Sequence, residues 1–138
     1  MKTLLTVVLL ATAAVSAACS GAPGEQSLRD SFAQQLGANK FVKEFQRSGD
    51  DMTFIGPGPE GGTAKWRVHI DSAVVEPYAD KSNPSPYKGT IKSSWYADGQ
   101  KIEASATESH LPFELMSNEL SQDCWAFWDP AAKKWGWE

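Results

Sequence analysis

The sequence predicts an α+β domain, in which one helical region precedes a meander of about five or six antiparallel strands. Two observations predict this fold class. Apolar residues recur at helical spacing between residues 27 and 47, and further along the chain they alternate with polar residues. The helical and extended segments are not interleaved, and such segregation is typical of α+β architecture.

The helical region is predicted at 27–47. Its apolar positions are Leu28, Phe32, Leu36, Phe41, Val42 and Phe45. Ser27 and Asp30 have the spacing of a capping box, which satisfies free N–H groups at a helix start. The stripe shifts after Gly37, so the pattern fits either one bent helix or two helices separated at 37–39.

Period-two alternation then predicts the strands. The first is short, at 52–55, and is followed by a Gly- and Pro-rich loop at 56–62. The clearest strand begins at residue 64 and runs on through Ala73 and Val75, with Ala64, Trp66, Val68 and Ile70 on one face. A second loop is predicted at 77–86.

Three further strands are predicted after this loop. The first, at 87–96, is joined through a turn at Asp98-Gly99, whose residues tolerate positive φ, to a strand at 101–107. Residues 111–120 fit a short helix after Pro112 or an edge strand. The strands at 124–128 and 134–137 form a terminal hairpin. These elements predict one domain that spans residues 26–138. Its helix on a curved sheet resembles the cystatin-like or nuclear-transport-factor-like arrangement.

The first twenty residues have the order of an export signal. Lys2 supplies the positive charge, an apolar run follows at 4–14, and small residues occupy 15–18. This run of about eleven residues is too short to cross a bilayer, which takes roughly 20. Residues 1–18 are therefore predicted to be a signal peptide.

The end of this signal, Ser16-Ala17-Ala18-Cys19, resembles the lipobox of bacterial lipoproteins, although Ser16 stands where that family usually has a larger apolar residue. The resemblance implies cleavage before Cys19 and acylation of Cys19, followed by a tether at 19–25. Ser20 is compatible with sorting to the outer membrane, facing the periplasm. The implied partner is the membrane itself, through the lipid on Cys19.

Ordinary secretion is the alternative, with cleavage before Ala18. Cys19 would then keep its thiol, and a bridge to Cys124 would close a loop of about 100 residues, contributing roughly 4–5 kcal/mol in the entropy model. Under lipidation Cys124 stays unpaired. The aromatic residues that follow it predict a buried and inert thiol.

Charge and motifs exclude several functions. The chain has 13 basic and 17 acidic residues, and loss of the signal with Lys2 makes its net charge of −4 more negative. This charge argues against binding to nucleic acid, which needs a basic footprint. The sequence has no phosphate loop, no G-x-S-x-G and no C-x-x-C motif. We therefore predict neither a cofactor nor catalysis.

The alternative to a non-enzymatic binding domain is a metal-dependent enzyme. His69 and Asp71 share a strand face, and Glu108 and His110 would do so if the chain were still extended there. Two such pairs that met in space would form a metal site. Short H-x-D pairs are also common on solvated strand faces, which is the simpler interpretation.

The tryptophans are the best functional lead. Trp135 and Trp137 share a strand face, whereas Trp125 and Trp128 point opposite ways because they lie three residues apart. Some of these rings must therefore lie away from the helix, and clustered exposed aromatics mark contact surfaces. We predict that Trp128, Trp135 and Trp137 contact a protein partner or an envelope glycan such as peptidoglycan. An inhibitor or immunity protein is an alternative, and ordinary core packing of these rings is another.

Overall fold

The computed structural model describes residues 21–79, 85–103, 111–118 and 121–138. It contains one α-helix, α1 (Glu25–Ala38), and a short 3₁₀-helix at Phe113–Asn118. The strands are β1 (Lys43–Ser48), β2 (Asp51–Pro57), β3 (Thr63–Pro77), β4 (Tyr87–Ala97), β5 (Gln100–Lys101), β6 (Ser121–Asp129) and β7 (Lys134–Trp137). Residues 1–20 lie outside the described ranges, so the signal peptide and the acylation of Cys19 stay predictions.

The strands form one curled antiparallel sheet in the order β1-β2-β3-β4-β6-β7. The short β5 pairs with β4 at Tyr96 and Ala97, while β6 pairs with the other end of β4, from Lys88 to Lys92. The helix α1 packs on one face of the sheet and contacts β3, β4 and β7. The predicted α+β class, with a helix on a curved sheet, is therefore confirmed.

The core lies between α1 and the inner face of the sheet. On this face the helix buries Leu28, Phe32, Ala33 and Leu36, which form one stripe at helical spacing. An aromatic cluster fills the sheet side, where the ring centroid of Trp66 lies 6.1 Å from that of Phe54 and 5.9 Å from that of Trp95. Such pairs add to area burial by about 0.5–1.5 kcal/mol each.

The helix ends earlier than the apolar stripe predicted. Asn39 has extended backbone angles, φ −63° and ψ 125°, and its side-chain amide donates to the carbonyl oxygen of Glu114 at 3.0 Å. The chain then enters β1, so the prediction of helix over 39–47 was wrong. Phe45 belongs to β1 and packs against Gly37. Apolar spacing alone did not distinguish this strand from a second helix.

The helix also begins differently. Gly24 is the N-cap residue, and α1 starts at Glu25 rather than at a capping box on Ser27. The Ser27 hydroxyl lies in the first turn, where it donates to the carbonyl oxygen of Gly24 at 2.8 Å and accepts from the indole of Trp137 at 3.0 Å. Ser27 thus joins the helix start to the sheet instead of capping it.

Strand β3 is long because a bulge keeps its inner face apolar. Ile70 pairs with Ser93 and Ser72 pairs with Lys92, so Asp71 is an additional residue opposite β4. The bulge allows both Ile70 and Ala73, three residues apart, to be buried. The predicted extension of this strand through Ala73 and Val75 is confirmed.

The turn between β4 and β5 has the backbone conformation that its residues predicted. Asp98 and Gly99 both have positive φ, 48° and 83°, as predicted for the hairpin turn. The predicted strand at 101–107 is described only as far as residue 103, and its β5 portion is Gln100–Lys101. After Pro112 the chain forms the 3₁₀-helix at Phe113–Asn118, so the described part of 111–120 is a short helix and not an edge strand. No helix among the described residues is long and apolar enough to cross a membrane.

Candidate functional site

The hairpin of β6 and β7 carries the predicted contact residues. Its register pairs Ala126 with Trp137 and Trp128 with Trp135. At the turn, the carboxylate of Asp129 accepts hydrogen bonds from the backbone N–H groups of Ala131 (3.0 Å) and Ala132 (3.1 Å). This Asx-type arrangement holds the turn at 129–133 and confirms the predicted hairpin.

Trp137 belongs to the core. Its side chain is 5 % exposed, and its indole N–H donates to the hydroxyl of Ser27. The ring lies over Gly89 of β4, beneath the first turns of α1. A ring buried in this way offers almost no area to a partner, so Trp137 is a core residue and not the predicted contact residue.

Trp128 and Trp135 form an edge-to-face pair next to this core. Their ring centroids lie 5.4 Å apart at an interplanar angle of 71°, and Trp135 also meets Tyr87 edge-on at 5.4 Å. Trp128 is 43 % exposed. Trp135 is half-buried, and its indole donates to the carbonyl oxygen of Gly21 at 3.2 Å. The pair therefore has one anchored ring and one ring open to contact.

Trp125 points to the opposite side of β6, as the spacing predicted. Its ring lies 4.6 Å from that of Tyr78, and the ammonium of Lys88 is 5.9 Å from its centroid. Phe127 follows on the same face, where it covers Gly136 and remains 42 % exposed. Aromatic rings thus lie on both faces of this hairpin.

A cleft of about 490 Å³ runs along the hairpin between these rings. Its aromatic walls are Trp125, Phe127, Trp128 and Trp135, and its polar groups are Ser85 and Glu138. We call this cleft, with the exposed rings and the turn at 129–133, the hairpin surface. Its volume is within the usual range for ligand sites, and flat aromatic faces beside a carboxylate suit an apolar or amphipathic contact.

The segment before α1 is attached to this surface. Gly21 accepts the hydrogen bond from Trp135, and Pro23 is buried. The tether was predicted to span 19–25, but Glu25 already belongs to the helix. The described part of the predicted tether therefore packs against the domain.

The predicted metal ligands are only partly described. His69 Nδ1 lies 3.0 Å from a carboxylate oxygen of Asp51, and Asp71 accepts a hydrogen bond of 2.6 Å from the hydroxyl of Ser94. Each side chain is thus engaged by a neighbouring strand. Glu108 and His110 lie outside the described residues. Among the described residues, no three potential ligands come together.

Cys124 has the buried setting that was predicted. Its side chain lies on the inner face of β6 and is 7 % exposed. Burial, and secondarily the negative charge of Asp123, raise the pKa of the thiol above its ordinary value. Within the described ranges Cys124 is a free thiol. A thiol with these properties is a poor nucleophile at neutral pH.

A second groove, of about 830 Å³, crosses β1 to β4 and was not predicted. The guanidinium of Arg67 lies 4.1 Å from the ring centroid of Tyr96, its partner across the strands. Glu44, Lys65 and Arg67 give its walls mixed charge. The sequence held no signal for this groove, because it depends on the register between four strands.

Searches of protein-family profiles, of curated proteins and of solved structures found no match to this chain.

Proposed function

We propose that this chain is a lipid-anchored protein of the bacterial envelope, whose single domain binds an envelope component through the hairpin surface without catalysis. The observation that carries the proposal is the exposure, at 43 % and 42 %, of Trp128 and Phe127, which lie on opposite faces of β6 but line the same cleft. Large apolar side chains that remain exposed next to one another are a mark of contact surfaces.

Two classes of envelope component suit this surface. Aromatic faces stack on the apolar side of sugar rings, and Glu138 supplies a carboxylate that accepts hydroxyl hydrogen bonds, which favours a glycan such as peptidoglycan. A protein partner, including the target of an inhibitor or immunity protein, would use the same rings as anchors. The mild acidity of the chain favours a basic protein target.

The anchor is tested by the intact mass of protein extracted with detergent from membranes of a diderm host. We expect a chain that starts at Cys19 and carries acyl mass. A chain that starts near Ala18, without acyl mass and two hydrogens lighter, would instead support a secreted form bridged to Cys124.

The contact surface is tested with two matched truncations. Trp128→Ala should reduce retention on isolated peptidoglycan sacculi or cross-linking to an envelope protein. Phe113→Ala is the control, because Phe113 is 86 % exposed on the 3₁₀-helix and does not line the cleft of the hairpin surface. Equal retention of both variants and the wild type would contradict the proposal that this surface makes the contact.

A further inference from the structure

We infer that the hairpin surface lies against the bilayer that holds the lipid anchor, with Trp128 and Phe127 in the interfacial region of that bilayer. This inference rests on the lipid anchor proposed above and makes the bilayer, in place of a glycan or a protein, the envelope component that the hairpin surface contacts. It begins from the position of Gly21, the first described residue of the chain.

Gly21 is attached to the hairpin. Its carbonyl oxygen accepts the indole N–H of Trp135 at 3.2 Å, and Pro23 is buried two residues later. The ring of Trp135 in turn lies 5.4 Å from that of Trp128. The point at which the chain enters the domain is therefore next to the exposed ring.

The covalent chain sets the distance to the anchor. Gly21 is the second residue after Cys19, and an extended chain covers at most about 7 Å over that length. Acyl chains on Cys19 would insert into the hydrocarbon, which places this residue at the membrane surface. The bond between Gly21 and Trp135, at the edge of the hairpin surface, is then held within roughly 10 Å of the lipid headgroups.

The chemistry of the surface suits that position. Tryptophan is enriched at membrane–water interfaces, because its ring is apolar while its indole N–H can still donate a hydrogen bond. Trp128 and Phe127 offer apolar area there. Lys133 and Lys134 are exposed at the turn of the same hairpin, where long cationic side chains would meet anionic headgroups.

The other end of the domain faces away from the anchor. Ser27, in the first turn of α1, bonds to Trp137 of the hairpin, whereas Asn39, just beyond the last turn, bonds to the 3₁₀-helix that carries Phe113. The 14 residues of α1 thus separate Phe113 by about 21 Å from the helix start, where Gly21 meets Trp135. The other end of β7 reaches further along the helix, where Gln35 donates to the carbonyl oxygen of Trp137 at 3.2 Å. Phe113 therefore marks the end expected to point away from the bilayer.

The experiment uses the acylated protein, labelled with 5-fluorotryptophan, in phosphatidylethanolamine–phosphatidylglycerol nanodiscs that contain headgroup spin-labelled lipid. The fluorine signals of Trp128 and of the buried Trp66 are assigned with Trp128→Phe and Trp66→Phe. The variant Phe113→Trp adds an exposed indole at the opposite end, as a matched reporter.

We expect the spin label to broaden the Trp128 signal. Because the effect falls with the sixth power of distance, enhancement at Trp128 should exceed that at the Phe113→Trp reporter on the order of tenfold or more, given the length of α1. Equal enhancement at the two sites, or none at Trp128, would overturn the inference and leave the anchor standing, with a glycan or protein as the occupant. Protein without acyl mass would overturn both proposals, and the mass spectrum separates the two results.

Discussion

Gly89 of β4 lies directly beneath Leu28 of α1. A β-carbon at residue 89 would lie 2.8 Å from Leu28 Cδ2 and 2.7 Å from Trp137 Cζ3, closer than carbon atoms pack. The absence of a side chain at this position lets the helix and Trp137 approach the sheet together.

Gly89→Ala should therefore destabilise the domain by about 1–3 kcal/mol, because the added methyl group overpacks the core. Chemical denaturation measures the free energy of unfolding. Gly24→Ala is the control, since a β-carbon there meets nothing within 4 Å, and its cost should remain below about 1 kcal/mol. A Gly89→Ala variant as stable as this control would contradict the close packing.

Truncation of Trp137 should lower the free energy of unfolding much more than truncation of Trp128, because only Trp137 is a core residue. Trp137→Ala removes a ring that is 5 % exposed and should cost about 3–5 kcal/mol. Trp128→Ala removes an exposed ring with one edge-to-face partner and should cost about 1 kcal/mol. Thermal and urea unfolding of the two variants test this contrast. If Trp128→Ala were the more destabilising, Trp128 would be a core residue and not part of a contact surface.

Trp135→Phe should release the segment that precedes α1. The phenyl ring keeps the apolar contact with Tyr87 but has no N–H to donate to Gly21. Hydrogen–deuterium exchange in the peptide that spans residues 21–27 should become faster, with a change in unfolding free energy of about 1 kcal/mol or less. Unchanged exchange would show that the buried Pro23 alone holds this segment.

Cys124 should react slowly in the folded protein. Burial and Asp123 raise its pKa above the ordinary value of 9.0, so the folded state favours the neutral thiol. The resulting stability is fully present below the pKa of the unfolded chain and is lost as the pH rises through the higher pKa of the folded protein. Unfolding free energy should therefore decline above about pH 9 in the wild type, and less steeply in Cys124→Ala.

Reaction of the thiol with a chromogenic disulfide gives an independent measurement of the same property. The rate at pH 8 should rise strongly when the protein is unfolded in urea. A folded protein that reacts as fast as the unfolded chain would contradict the buried setting of Cys124.

Zinc should leave the melting temperature unchanged. His69 and Asp71 are engaged by Asp51 and Ser94, and no third ligand joins them among the described residues. Thermal unfolding with and without zinc tests this expectation. A zinc-dependent rise that disappears in His69→Ala would instead revive the metal-dependent alternative with Glu108 and His110.

The sequence predicted best where one local rule decides the structure. Alternation placed Ile91 and Trp95 on the buried face of β4, and positive φ at Asp98 and Gly99 followed from turn chemistry. It predicted wrongly over 39–47, because the apolar spacing of Phe41, Val42 and Phe45 fits either period over so short a stretch. The segment forms a strand because β1 pairs with β2, and the apolar spacing within 39–47 does not indicate that pairing.

The candidate site was predictable in outline only. Spacing correctly placed Trp125 and Trp128 on opposite sides of β6, and Trp135 and Trp137 on a shared face. It could not separate buried Trp137 from half-buried Trp135, since that difference depends on where α1 begins above the hairpin. The bond between Trp135 and Gly21 joins residues more than 100 positions apart, and no local pattern indicates it.

The bulge at Asp71 divides β3 into two halves of opposite phase. Before it the even-numbered residues face the core, as Ile70 does, and after it the odd-numbered residues do, as Ala73 does. The bulge thus absorbs Asp71 as one extra residue and keeps the two halves in step with β4. Position 71 should therefore tolerate many side chains and even deletion, because Ile70, Ser72 and Ala73 would then alternate regularly opposite Ser93, Lys92 and Ile91 of β4.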